Sequence, residues 1–226
     1  MPVTAFTMPP ANEPDEPTPP RRKRNPRGQG SRLREEIIQA TSVLLERTAN
    51  EESVTLRAIA REIGIASPSI NSHFADRMEI LDAVIAREVT ALYEMLAEAV
   101  ATQTDPVERL LATVRSYYHY GVTRPSRYRL LLGRRFLPDW SEDRPMTESL
   151  QVTGATFQMI EGLVQDCIDA GRSRNTDAST TAVSLWALLH GVLALPNSIT
   201  SFPWPDMQQV LDEATARVAG LDVTEP

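Results

Sequence analysis

Thr55-Leu-Arg-Ala-Ile-Ala-Arg-Glu-Ile-Gly-Ile-Ala-Ser-Pro-Ser-Ile-Asn-Ser-His-Phe74 is the stretch whose reading decides the fold. Thr55 is an N-cap residue type, and Leu56, Ile59, Ala60 and Ile63 follow at the i, i+3, i+4, i+7 spacing of one helix face. Gly64 stands where that short helix must end in a turn of positive φ. Ser67 is then expected to cap a third helix with Pro68 at its first position, where the missing N–H costs nothing, and Ile70 and Phe74 face inward. Ala60 is small where two helices cross closely, and Ile70 plugs the angle between them. The spacing predicts a helix-turn-helix.

The outer face of the third helix is Ser67, Ser69, Asn71, Ser72 and His73, with no long acidic side chain to repel phosphate. Such a face fits a major groove, and Asn71 is a candidate for bidentate pairing with adenine or, equally, for a phosphate contact. A small three-helix unit with no nucleic-acid partner needs the same tight turn and polar face. Charge separates the two readings. The chain carries a net charge of -7, yet residues 21–78 hold 11 Lys+Arg against 7 Asp+Glu. A basic third on an acidic body is what local phosphate contact requires. The run Arg21, Arg22, Lys23, Arg24, with Arg27, Arg32 and Arg34, fits a basic arm along a minor groove, a solvated charge run or a nuclear-targeting signal.

Residues 31–85 resemble the tetracycline-repressor (TetR) family, whose recognition helix runs into His-Phe and then a basic residue that opens the next helix. His73, Phe74 and Arg77 stand in those places; Asn71 replaces the family's usual tyrosine and Arg77 its usual lysine. The resemblance implies that Thr55 meets a phosphate through the start of helix two and that Ser67, Ser69 and Asn71 lie nearest base edges. It implies that Arg77 grips the DNA backbone, with Arg57 and His73 completing the expected contacts.

Outside this stretch, residues 1–30 hold eight prolines and almost no apolar periodicity, and read as a disordered basic, proline-rich arm. Helix one begins near Leu33. Asp76 with Glu79 starts a fourth, long helix; Asp105-Pro106 opens a helix to about Val122, and Arg124-Pro125 a shorter one to Leu132. Pro145 is expected to begin a helix that stops at Gly171, Asp177 to cap one ending before Pro196, and Pro205 to start a last one reaching Gly220. With no strand pattern, the expected fold is all-α. The expected division is an arm (1–30), a DNA-binding domain (31–77) and a helical ligand-binding and dimerisation domain (78–226).

In that C-terminal body, residues 182–195 are apolar nearly all the way round, so one face calls for a second subunit. Trp186-Ala-Leu-Leu-His-Gly191 resembles the Trp, His, Gly signature of one TetR C-terminal subclass, which implies a four-helix dimer interface built from the 145–171 and 177–195 helices. For the first of these, the stripe Phe157, Ile160, Leu163, Val164, Cys167 and Ile168 reads equally as internal core. Tyr117, Tyr118, Tyr128, Phe157 and Trp186 are candidate pocket residues for a small, largely apolar effector, with His119 and His190 as polar handles.

The one cysteine, Cys167, and the lack of any zinc-type Cys/His spacing fit a reducing compartment. No signal-peptide pattern opens the chain, and the apolar run Leu185–Leu195 is too short to span a bilayer. These features predict a cytoplasmic regulator, a homodimer on palindromic double-stranded DNA, ligand-responsive and by resemblance a repressor, with no cofactor, metal or membrane partner. Two other classes stay open: a helical protein-interaction module, and an all-helical enzyme using His119 or His190 with Asp166 or Asp169. The second lacks any G-x-S-x-G, H-E-x-x-H, P-loop or dinucleotide fingerprint.

Overall fold

The computed structural model describes residues 30–48, 50–132 and 147–222. Among these the chain is helical: α1 (Gly30–Thr48), α2 (Leu56–Glu62), α3 (Arg77–Ala101), α4 (Pro106–Thr123), α5 (Pro125–Leu132), α6 (Glu148–Asp169), α7 (Ala178–Ser198) and α8 (Met207–Val218). Two 3-10 segments, Glu51–Ser53 and Ser67–Ser72, complete it. The expected all-α fold holds; an isolated antiparallel bridge joins Ser173 to Leu221.

Short polar side chains set the helix starts. Thr55, Asp76, Asp105, Thr147, Asp177 and Asp206 each accept a backbone N–H from the first turn of the following helix. Each such cap satisfies a donor that the helix cannot. Glu79 accepts from the N–H of Ala75 at 2.6 Å while its own N–H donates to Asp76, locking the start of α3 from both sides.

Two apolar cores result. The first gathers Ile37, Leu44, Val54, Ile59, Ile70 and Phe74 with Ile80, Leu81, Val84 and Ile85 of α3. The second gathers Leu92 and Leu96 of the same helix with Leu110, Val114 and Tyr117 of α4, Ile160, Leu163, Val164 and Cys167 of α6, and Leu185, Leu189 and Val192 of α7. The α6 stripe is therefore internal core, and its opposite face exposes Gly154, Gln158, Gly162 and Gln165.

Four boundaries differ from expectation. Ser67 is not a cap: Ala66 holds that position with no side-chain hydrogen bond, and Ser67–Ser72 winds as a 3-10 helix. It is held by i→i+3 bonds such as Ser69 N–H to the Ala66 carbonyl at 2.9 Å. Glu148 rather than Pro145 opens α6, with Thr147 as cap, and Asp206 rather than Pro205 caps α8; Pro145 lies outside the described residues, as do residues 1–29 of the expected arm. Finally, α7 runs through Pro196 to Ser198. Proline forfeits one backbone bond near the helix end, and the Asn197 side chain donates to the Leu193 carbonyl at 2.7 Å to close the last turn.

At 21 residues α7 is long and apolar enough to cross a membrane by length and composition alone. Its inner face is packed against α4, α6 and α8.

Gly64 has φ 68°, the left-handed conformation the turn between α2 and the 3-10 segment requires. Gly64→Ala is expected to cost about 1–2 kcal/mol, because a Cβ is disfavoured there. Urea unfolding measures it, and an unchanged midpoint would show that the turn relaxes.

Candidate nucleic-acid interface and candidate ligand cavity

The helix-turn-helix is assembled from the first core outward. Ile59, Ala60 and Ile70 are buried at the angle between α2 and the 3-10 segment, and the Ile65 N–H donates to the Ala60 carbonyl at 2.9 Å across the Gly64 turn. This leaves Thr55, Arg57 and Asn71 exposed and Ser67, Ser69 and His73 half-buried around one end of the fold. Thr55 Oγ1 accepts the Ala58 N–H at 3.1 Å, so the start of α2 is fixed in place. Arg77 is half-buried, and its Nε donates to the Val54 carbonyl at 2.5 Å, pinning the segment that enters α2. Of the basic residues on α1, Arg32 pairs with Glu36 at 3.2 Å and Arg34 lies over the Phe74 ring at 4.9 Å. Arg21–Arg24 and Arg27 lie outside the described residues.

The cavity lies in the second core, where five helices meet. Val89 and Leu92 of α3, Tyr117 of α4, Leu131 of α5, Thr153, Thr156, Phe157 and Ile160 of α6, and Trp186 and His190 of α7 enclose about 70 Å³. Three of the five expected pocket residues, Tyr117, Phe157 and Trp186, are brought together here. Tyr128 sits behind the wall: its hydroxyl is 2.8 Å from Nδ1 of His190, and the two rings stack at 5.8 Å. Tyr118 points elsewhere; it is half-buried, and burial and Asp206 push its hydroxyl pKa up. His119 is exposed. Sequence reasoning did not single out Thr153, Thr156 or Leu131, since threonines on a helix read as solvated surface.

His190 is the chemical centre of this cavity. Its ring meets Tyr117 edge-on at 5.7 Å and Trp186 at 5.5 Å. Burial pulls its pKa down to about 4, so the imidazole is neutral at physiological pH. With Nδ1 engaged by Tyr128, Nε2 is buried with no hydrogen-bond partner. An orphaned polar atom of this kind costs about 1–3 kcal/mol.

A second polar cluster stands beside the cavity. Glu88, buried on α3, accepts from Tyr120 at 3.4 Å and from Arg127 of α5 at 3.3 Å, and Arg127 Nε reaches Glu46 of α1 at 2.6 Å. Arg87 adds a link between α3 and α1 through Glu35 and Ser42. Among the described residues no group of His, Cys, Asp and Glu is arranged to hold a metal ion. Cys167 is buried, donates to the Pro106 carbonyl at 3.3 Å and is pushed up to about 11 mainly by burial, which leaves it unreactive.

With this geometry in place, comparison with known proteins is informative. Residues 110–218 match the family model of the tetracyclin repressor-like C-terminal domain. A TetR transcription regulator from Haloarcula marismortui superposes with a TM-score of 0.65 at 20% identity, over 84% of this chain and 97% of that one. The fold is that of the TetR-family regulators. A protein of unknown function from Rhodococcus sp. RHA1 shares it with a TM-score of 0.71 at 23% identity, over 84% of this chain and 95% of that one. By sequence, the nucleoid occlusion factor SlmA of Escherichia fergusonii is 24% identical over 166 residues, 71% of this chain and 81% of that protein. The cavity lies largely within the matched C-terminal domain, closed on one side by α3.

The pH dependence of His190 has a definite sign. Between its folded value of about 4 and the ordinary 6.5, the unfolded chain holds the proton and the folded chain does not, so stability rises with pH across that window. Falling from pH 7.5 to 5.0 is expected to remove about 2 kcal/mol through this residue. His190→Leu flattens that part of the profile in urea unfolding; equal losses in both proteins would exclude His190 as its source.

Proposed function

We propose that this chain is a TetR-family DNA-binding transcription regulator that acts as a homodimeric, ligand-responsive repressor on a palindromic operator. The carrying observation is the Thr55-capped α2 and the 3-10 segment Ser67–Ser72, held at an angle by Ile59, Ala60 and Ile70 with Thr55, Arg57 and Asn71 outward. The C-terminal match and the shared fold support the same reading. Residues 31–77 are assigned to DNA and 78–226 to ligand and dimer, with Trp186, His190 and Gly191 favouring the Trp-His-Gly subclass. DNA-binding regulation fits a soluble, cytoplasmic, non-enzymatic protein.

Two exposed surfaces support the dimer. On α7, Val183 (50%), Trp186 (40%) and Leu195 (46%) face solvent although the helix is rich in large apolar residues. On α6, Gly154 and Gly162 have nothing within 4 Å of where a Cβ would stand, so a partner helix has room to approach. Two-fold pairing through these helices places two equivalent recognition segments on successive grooves about 34–36 Å apart.

Helix α5 supports ligand response. Within eight residues it carries Leu131 in the cavity wall, Tyr128 on His190 and Arg127 on Glu88 and Glu46. A ligand that shifts α5 shifts the anchor of α1 with it. To release operator DNA the ligand must bind the DNA-incompetent state better; about 2–3 kcal/mol of coupling gives roughly 30- to 150-fold weakening.

The curated relatives named nucleoid occlusion factors favour a second reading, DNA-bound action on the nucleoid. Genome-wide binding decides between them. Sites concentrated upstream of a few transcription starts support the repressor, whereas sites spread along the chromosome without promoter bias support the second reading.

Binding to duplex DNA is expected to weaken with salt, with a log-log slope near about -4.5 for some five neutralised phosphates. Asn71→Ala is expected to relax base preference at one position by about 1–3 kcal/mol, whereas Arg57→Ala weakens specific and random duplex alike. Arg77→Ala is a poorer probe because it also releases the Val54 carbonyl. Quantitative gel shifts on a base-substitution series test this; a slope near zero, or a uniform loss in Asn71→Ala, contradicts the respective assignment.

A further inference from the structure

Among the described residues the cavity wall contains no Lys, Arg, Asp or Glu. Its polar groups are few: two threonine hydroxyls, the Tyr117 hydroxyl, the Trp186 indole N–H and the His190 imidazole. Thr153 and Thr156 donate their hydroxyl protons to the carbonyls of Ser149 and Val152 in their own helix, at 2.8 and 3.0 Å. His190 turns Nδ1 to Tyr128, which is not part of the wall, and keeps Nε2 buried and unpaired. A charged ligand would find no counter-charge here, and the neutral imidazole supplies none.

The tautomer of His190 narrows the ligand further. If the Tyr128 hydroxyl donates to Nδ1, then Nε2 carries the proton and seeks an acceptor; if Nδ1 donates to Tyr128, Nε2 seeks a donor. A hydroxyl group satisfies either state, a carbonyl only the first. The remaining wall is aromatic and aliphatic, with Tyr117 and Trp186 set edgewise to the imidazole and Phe157 meeting Trp186 at 5.9 Å. Edges and faces of this kind favour a flat ring.

Size sets the last limit. The 70 Å³ of this partly open cavity is about half of the roughly 150 Å³ apolar cavity that takes up benzene in an engineered protein. A single ring fits only if a wall side chain gives way.

We propose that the cavity binds an uncharged monocyclic aromatic compound with one hydroxyl group, which pairs with Nε2 of His190. This rests on the ligand-responsive reading above and names the ligand class for it. The hydroxyl completes the chain Tyr128–His190–ligand and gives the buried, unpaired Nε2 of His190 a partner, so the phenolic compound is discriminated from its hydroxyl-free isostere by about tenfold.

The test uses the full chain with phenol, toluene, cyclohexanol and benzoate as probes in titration calorimetry. Phenol is expected to bind about tenfold tighter than toluene and tighter than cyclohexanol, with benzoate not bound. In His190→Leu the phenol affinity falls to that of toluene while toluene is retained. Imidazole 15N spectra of the unaltered protein provide a readout that needs no variant: the chain has three histidines, and phenol but not toluene is expected to shift the Nε2 signal of His190. Phenol no tighter than toluene, benzoate tightest, a phenol preference that survives His190→Leu, or an unmoved Nε2 signal would each overturn the proposal. Operator retention is measured on the same samples. Phenol binding with unchanged DNA affinity leaves this inference standing and refutes ligand response through the cavity. DNA release by phenol with an unmoved His190 signal does the reverse.

Discussion

Glu88 is a carboxylate with 5% exposure at the midpoint of α3, the helix that both cores share. A charge in that position is tolerated only when paired, and Arg127 and Tyr120 supply the pairing from α5 and α4. Toward the N-terminus of Glu88, α3 buries Ile80, Leu81, Val84 and Ile85 in the first core; toward the C-terminus it buries Leu92 and Leu96 in the second. The seam between the two packing environments carries this ion pair beside apolar contact, Leu131 packing against both cores. Apolar contacts have little directional preference, whereas charge-assisted hydrogen bonds to a buried carboxylate are directional and help to set the relation of the two halves.

The position of the cavity follows from the same seam. Val89 is the residue after Glu88, and Leu92 lies one turn on from it, so the wall begins where the ion pair ends. On the opposing side, Arg127 and Tyr128 are neighbours on α5, one facing Glu88 and the other His190. Neighbouring residues on a helix are about 100° apart, which lets a single short helix serve two faces without bending. A change on the cavity side of α5 reaches the ion pair through one rigid element.

Much of this was legible in the sequence because local rules decided it. Thr55, Asp76, Asp105 and Asp177 cap the helices they were expected to cap, and Gly64 takes the positive φ its place required. What failed was decided by longer-range competition. Ser67 had the composition of a cap, but it is the first residue of a 3-10 segment that Ala66 precedes without a side-chain hydrogen bond. Pro196 looked like a stop, but near a helix end it forfeits only one backbone bond, and the helix continues to Ser198. In the body, Tyr117 and Tyr118 look alike as sequence, yet they are one residue apart on α4 and only Tyr117 faces the cavity. Leu131, Thr153 and Thr156 belong to the wall because five helices converge there, which no single helix pattern reports.

The two polar features of the C-terminal body differ in how completely they are satisfied, and that difference bears on which of them responds. Glu88 has partners from two helices, and Arg127 extends the network to Glu46 on α1, so disturbing it leaves a buried charge unpaired. His190 has one partner and one orphaned nitrogen. A partner at Nε2 of His190 would be a gain, whereas nothing is gained by breaking the network at Glu88. On the proposed ligand-responsive reading, the incompletely paired site is the one to receive a ligand, and the fully paired one, sharing α3 and α5 with it, is the one to pass the change to α1 as a shift between defined arrangements.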